Sequence, residues 1–380
     1  MSLTRYFSLR RLLAVVAKEF IQMRRDKLTF AMMVGVPLLQ LTLFGYAINS
    51  DPKHLPTVVV AHEQSEFTRS IVSALHNSDY FDIRSTAVSE REASEMLARG
   101  EVQFAVTIPP DFSRRLIRGE AAQLLVEADA TDPSATGNAI SALQQMTASL
   151  LRHDLPGPLA GKQATAPAFE LIVHRRYNPD ALASYNVVPG LIGVILTMTM
   201  IMSTALGLTR EVERGTMENL LATPVRPLEV MFGKIIPYII VGLISMLLIM
   251  AAARWLFGVP FVGSLVLLTS VILLFIAANL VVGITISSVA RNQMQALQMT
   301  FFFFLPSMLL SGFMFPFRGM PLWAQWIGEV LPLTHFMRIS RGVMLKGNGL
   351  TECAYDLWSL LAFMLVVMLI GLGRFRRTLD

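Results

Sequence analysis

Six long stretches of this 380-residue chain contain no Asp, Glu, Lys or Arg, and no other feature limits its fold as strongly. About 30 Å of hydrocarbon takes roughly 20 residues at helical rise, so a charge-free apolar stretch of that length marks a membrane-spanning helix. Leu28 to Ile48, Val187 to Thr209, Ile235 to Ala253, Phe261 to Ala290, Met294 to Phe317 and Leu357 to Gly373 meet this requirement or come close. Hydrophobic residues make up 53% of the chain and charged residues 16%, the balance of a polytopic membrane protein rather than of a soluble domain. One charge at the bilayer centre costs at least about 2.5 kcal/mol on insertion scales, so charge-free interiors also limit the chemistry such spans can carry.

Arg10 and Arg11 precede only a short apolar run before Lys18 and Glu19 interrupt it, so no cleavable signal peptide is expected. Within residues 7–27, Leu9, Leu12, Leu13, Val16, Phe20 and Met23 gather near one helical face, with basic residues elsewhere. This predicts an amphipathic helix on the cytoplasmic membrane surface over 1–27, or else a cytoplasmic extension of the first span. Basic residues also set the orientation. Seven Lys or Arg precede the first span, Arg210, Arg214, Arg226 and Lys234 flank the loop after the second, and Arg374, Arg376 and Arg377 follow the last. Both termini are therefore expected in the cytoplasm. The same bias accounts for the net charge of +5 without a nucleic-acid partner. Arg318, Arg338, Arg341 and Lys346 run against it, in a loop that the span count places outside. The single cysteine, Cys353, permits neither an internal disulfide nor a Cys-based metal site.

Residues 49–183 have ordinary soluble composition and room for one domain. Strand-like runs ("TVVVA", "YFDIRSTAV", "VQFAVTIP", "AQLLVEAD", "FELIVHRRYN") alternate with helical ones. Among the latter, Ser89 and Glu92 fit a capping box and Gly100 a helix stop. The alternation predicts an α/β domain outside the cytoplasm, inserted between spans 1 and 2. Residues 155–168, rich in Pro, Gly and Ala, read as a flexible loop. "FGVPF" makes a short outer turn between the third and fourth spans. Residues 318–345 are too punctuated by Pro, Gly and charge to span, while Trp323 and Trp326 suit a membrane interface. Either short helices dip into the outer leaflet there, or the segment is a loose outer loop.

The chain has no G-x-x-x-x-G-K-[ST] loop to cradle phosphates; "GPLAGKQ" at 157–163 has too short a spacing. Its six histidines show no metal-ligand spacing and read as surface residues. The pairs Asp79/Asp82 and Asp129/Asp132 read as turn and cap residues. A coupled carrier would need intramembrane ionisable groups, whereas these spans and their edges offer neutral polar groups such as Gln40, Asn186 and Asn279, with small or hydroxylated residues that suit helix packing. An enzyme is not expected, and energy for transport would come from another subunit.

A polar island, "EVERGTMENLLATP" (211–224), lies between the second and third spans. Glu211, Glu213 and Glu218 offer acidic contacts, Leu220 and Leu221 an apolar knob, Gly215 and Thr216 a bend or new N-cap, and Pro224 a stop. It is either a rigid element that a cytoplasmic partner can push or an ordinary cytosolic loop. The residues carry a resemblance. Glu211, Glu213, Gly215, Thr216, Glu218, Leu220, Thr223 and Pro224, followed by Gly233 and Lys234, resemble the E-x-E-x-G-T-x-E-x-L-x-x-T-P loop of ABC-2 type exporter permeases. "LSGFMFPFRGMPLWAQWIGEVLPLTHFMRISRGVMLKG" is similar to the family's outer-leaflet segment.

The resemblance implies a six-helix polytopic α-helical membrane protein with an α/β extracytoplasmic (periplasmic) domain at 49–183 and a membrane domain at 184–380. It implies a coupling helix at 210–224 that docks on an ABC ATP-binding subunit. That subunit would bind ATP and Mg, this chain holding no cofactor. It further implies a second permease copy or homologous permease as partner, the bacterial inner membrane as location, and lipophilic or drug-like substrates. A periplasmic adaptor and outer-membrane channel often accompany this subset. The alternative from another class is a non-transporting membrane receptor or scaffold with a ligand-binding outer domain.

Overall fold

The computed structural model describes residues 52–86, 89–147, 151, 169–213 and 227–375, with side chains for 237–371 of the last stretch. The expected surface helix and first span therefore lie outside the described residues, as does the 155–168 loop.

The α/β reading is met by a five-stranded sheet. Its strands are β1 (Leu55–Ala61), β2 (Phe81–Ser85), β3 (Phe104–Ile108), β4 (Gln123–Asp129) and β5 (Glu170–Arg176), in the order β2-β1-β3-β4-β5. β3 and β4 are antiparallel, with Val106 opposite Val126, and every other pairing is parallel. β1 and β3 are buried on both faces, hence their near-continuous apolar runs, whereas edge strand β5 alternates. Helices α1 (Glu66–Asn77), α3 (Phe112–Arg118) and α4 (Pro133–Thr147) share one core with Leu55, Val59 and Phe104. Helix α2 (Glu90–Arg99) covers the other face, setting Ala93 and Leu97 against Val58, Val60 and Ala105. Its limits are those the sequence announces. The Ser89 hydroxyl accepts from the Glu92 N–H, and Gly100 ends the helix at φ 72°.

Among the described residues, four helices are long and apolar enough to cross a membrane. They belong to α5 (Ala183–Glu213), α6 (Pro227–Trp255), α7 (Leu265–Val289) and α11 (Leu350–Phe375). α8 (Gln293–Leu310) is shorter than expected: it stops at Ser311, and Gly312 turns the chain at φ 81° before Phe317 is reached. α11 starts earlier than expected and takes Glu352 and Asp356 into its first turns. The turn after α6 runs to Ser264, whose hydroxyl caps α7. Residues 317–346 are not a loose loop. They form a short 3-10 turn at Phe317–Gly319, helices α9 (Leu322–Val330) and α10 (Pro332–Arg341), and a π-helical turn at Gly342–Lys346.

α10 is buried among the long helices, with Phe336 stacked on Phe275 of α7 at 4.3 Å. Glycine makes that seat: a Cβ on Gly193 of α5 would fall 2.6 Å from the Phe336 ring and 2.7 Å from Leu333. The hydroxyls of Thr197, Thr204 and Thr209 and the amide of Asn279 bond to carbonyls one turn back in their own helices, as expected of packing groups rather than ion ligands.

Candidate partner-coupling site and the seam at the opposite end

With 31 residues, α5 extends about 46 Å, well beyond the roughly 30 Å of hydrocarbon. It passes without a break through Arg210 to Glu213, so Glu211 and Glu213 ride on the last turn of a membrane helix. Glu213 is engaged within the chain. Its carboxylate accepts from the Gln293 backbone N–H at 2.9 Å and from Gln293 Nε2 at 2.6 Å, while Arg210 Nε donates to Gln293 Oε1 at 3.3 Å. Gln293 is the first residue of α8, whose leading N–H groups have no helical partner and attract anions. Asn292 serves the Gln295 N–H at 2.8 Å in the same way. The end of α5 is thereby tied to the α7–α8 turn.

Gly215, Thr216, Glu218, Leu220, Thr223 and Pro224 lie outside the described residues. The chain returns at Pro227, which starts α6 in the position where a missing N–H costs nothing, and Gly233 and Lys234 fall inside that helix. Of the residues expected to meet a partner, the structure thus places Glu211 and Glu213, both in the last turn of α5, and gives Glu213 an intramolecular role that sequence reasoning missed.

At the opposite end of α5, the basic residues that run against the orientation rule each find at least one partner within the chain. Arg338 pairs with both carboxylate oxygens of Glu329, reaches Asp356 at 3.5 Å, and lies over the Phe317 ring at 4.7 Å. Lys346 Nζ meets Asp129 Oδ2 of β4 at 2.6 Å. Arg318 and Arg341 donate to the carbonyls of Gly100 and Gly312.

His335, expected at the surface, is 2% exposed. Its Nδ1 lies 2.7 Å from Asp356 and its Nε2 2.8 Å from the Glu329 carbonyl. A carbonyl only accepts, so Nε2 carries a hydrogen, and Nδ1 and the Asp356 carboxyl have one proton to share. Asp132 does act as the cap residue expected, accepting from the Ser134 N–H, and it also accepts from Asn186 of α5. Asp129, read as a turn residue, is instead a buried ion-pair partner. Burial and the neighbouring Asp129 carboxylate hold the Tyr177 phenol above its usual pKa.

Among the described residues, four helices of membrane-spanning length and composition gather around one apolar core, with polar and charged groups at the end of the longest, as in an integral membrane protein. The chain belongs to the ABC-2 permease family: the family model described as "ABC-2 family transporter protein" matches residues 27–372. It is 31% identical over 380 residues to "Probable multidrug ABC transporter permease YbhS" of Escherichia coli (strain K12), with 98% of each chain covered. YbhR of the same organism, a "Probable multidrug ABC transporter permease", is 28% identical over 367 residues, covering 97% of this chain and 98% of its own. "Inner membrane transport permease YhhJ", also from that strain, is 27% identical over 329 residues, covering 86% of each. The chain is accordingly the permease subunit of an ABC transporter, which leaves ATP hydrolysis to an ATP-binding partner subunit. This replaces the receptor reading.

Proposed function

We propose that this permease exports a lipophilic or drug-like compound from the cytoplasm or inner leaflet across a bacterial inner membrane. Residues 210–224 are the element on which the ATP-binding subunit, holding ATP and Mg, docks. The observation that carries this reading is the unbroken run of α5 into Glu213 together with the Glu213–Gln293 tie. A push delivered just beyond Glu213 reaches α5 along its axis and α8 through the tie, so two membrane helices respond together.

In this reading the first span and surface helix precede the sheet domain, giving six helices, cytoplasmic termini and a periplasmic 49–183 domain. Residues 318–345 lie in the outer leaflet, where the exposed Leu322, Trp326 and Val330 of α9 form a stripe along one face. A second permease copy or homologous permease completes the pore, and an adaptor with an outer-membrane channel takes the product onward. The multidrug names of the relatives support the substrate class.

The test is ATP-dependent accumulation of a panel of lipophilic fluorescent dyes in vesicles holding this chain with its ATP-binding subunit. Export requires accumulation in inverted vesicles. Accumulation only in right-side-out vesicles would mean import and overturn the direction.

A further inference from the structure

The short segment from Gly342 to Gly349 makes more cross-connections than its length requires. Within it, the π-helical turn closes on Gly347 at φ 75°, where Asn348 N–H returns to the Gly342 carbonyl at 3.0 Å. On one side it meets the α6–α7 turn. Val262 N–H donates to the Met344 carbonyl at 3.0 Å, and a Cβ on Gly263 would fall 2.3 Å from the Val343 carbonyl oxygen. On the other side it meets the sheet domain at the carboxy end of α2. The last carbonyls of a helix lack helical partners and carry the negative end of its dipole, so they attract cations and donors. Here Lys346 Nζ donates to the Leu97 carbonyl at 3.0 Å and Asn348 Nδ2 to the Ala98 carbonyl at 2.9 Å, while Arg318 takes that of Gly100.

Lys346 is also the ion-pair partner of Asp129, their side chains 7% and 9% exposed, and its ammonium lies 5.2 Å from the Tyr177 ring centre. Asp129 is held on its other oxygen by the Thr131 N–H and hydroxyl. A desolvated pair so enclosed cannot slide, because separating it leaves a bare charge on each side.

We infer that Gly342–Gly349 is a mechanical joint. It fixes the sheet domain to α10, α11 and the α6–α7 turn as one rigid body, with the Lys346–Asp129 pair as its pin. The domain then follows the membrane helices through the transport cycle instead of swinging on its two chain connections. Lys346 is in this view a positioning residue that touches no substrate.

The first measurement needs only the isolated full chain. Spin labels on the exposed positions Glu120→Cys and Leu322→Cys, in a Cys353→Ser background, report the distance between the sheet domain and α9 by pulsed EPR. One narrow distribution is expected, broadened by Lys346→Met. A broad distribution in the unpinned and pinned protein alike, or a narrow one in both, overturns the joint.

The second separates position from chemistry. An Ala98→Cys/Asn348→Cys disulfide added to Lys346→Met should restore both the narrow distance and ATP turnover with the partner subunit, and turnover should survive cross-linking of the Lys346 protein. Restored distance without restored turnover, or turnover that stops on cross-linking and returns with reductant, would show that the domain undocks in each cycle and sink the proposal.

Discussion

The two ends of α5 treat polar groups in opposite ways. Beside the sheet, the Lys346 charge is matched under cover by Asp129, and the half-buried Arg338 by Glu329 and Asp356. At the far end, Glu213 and Arg210 each bond to Gln293 in exposed hydrogen bonds. Exposed ionic contacts contribute about 0–1 kcal/mol, whereas removing one partner of a buried pair costs about 3–5 kcal/mol. One end is therefore built to keep its own shape. The other has a light internal tie at Glu213, with the polar segment of residues 214–224 directly after it.

The largest effect should come from Lys346→Met, which leaves Asp129 buried and unpaired. A loss of about 3–5 kcal/mol is expected, read as a lower unfolding temperature of the solubilised chain. Glu120→Lys, at an exposed position of the sheet domain, should stay within about 0.5 kcal/mol. An equal shift for both would erase the contrast between the ends.

Gly283→Leu comes next. A Cβ at Gly283 of α7 would sit 2.8 Å from Thr204 Cβ and 2.9 Å from the Ile201 carbonyl of α5. Neither can yield easily, so forcing the helices apart should cost about 1–3 kcal/mol. Gly137→Ala in α4, where nothing lies within 4 Å, should be neutral or slightly stabilising by the same assay.

Smallest is Glu213→Ala, which removes the acceptor for the first N–H of α8 at an exposed site and should cost about 1 kcal/mol. A loss as large as that of Lys346→Met would show that the Glu213 end of α5 is as rigid as the end beside the sheet.

Much of the sheet domain was legible because its signals are local. Ser89, Glu92 and Gly100 fix α2 within themselves, and the apolar runs of β1 and β3 follow from cover on both faces. Helix limits in the membrane domain were less legible: a charge-free window finds where hydrocarbon can lie, while α5 continues past it to Glu213 and α11 begins before it at Leu350. The connections between distant segments were hidden. Lys346 and Asp129 are 217 positions apart, Gln293 and Glu213 are 80, and composition does not record such pairings. The oddity of basic residues in a loop that the span count placed outside was the one available signal for the seam.

The claim that residues 210–224 receive the ATP-binding subunit is tested most directly by co-purification and ATP turnover of that subunit with Glu218→Lys and Gly215→Val, beside Glu120→Lys. Glu218→Lys turns an acidic contact into a repulsive one, and Gly215→Val places a β-branched side chain where a bend or close backbone approach is expected. The account predicts that both lose capture and stimulation of the partner while membrane insertion and unfolding temperature match the control. Capture and turnover equal to those of Glu120→Lys would contradict it.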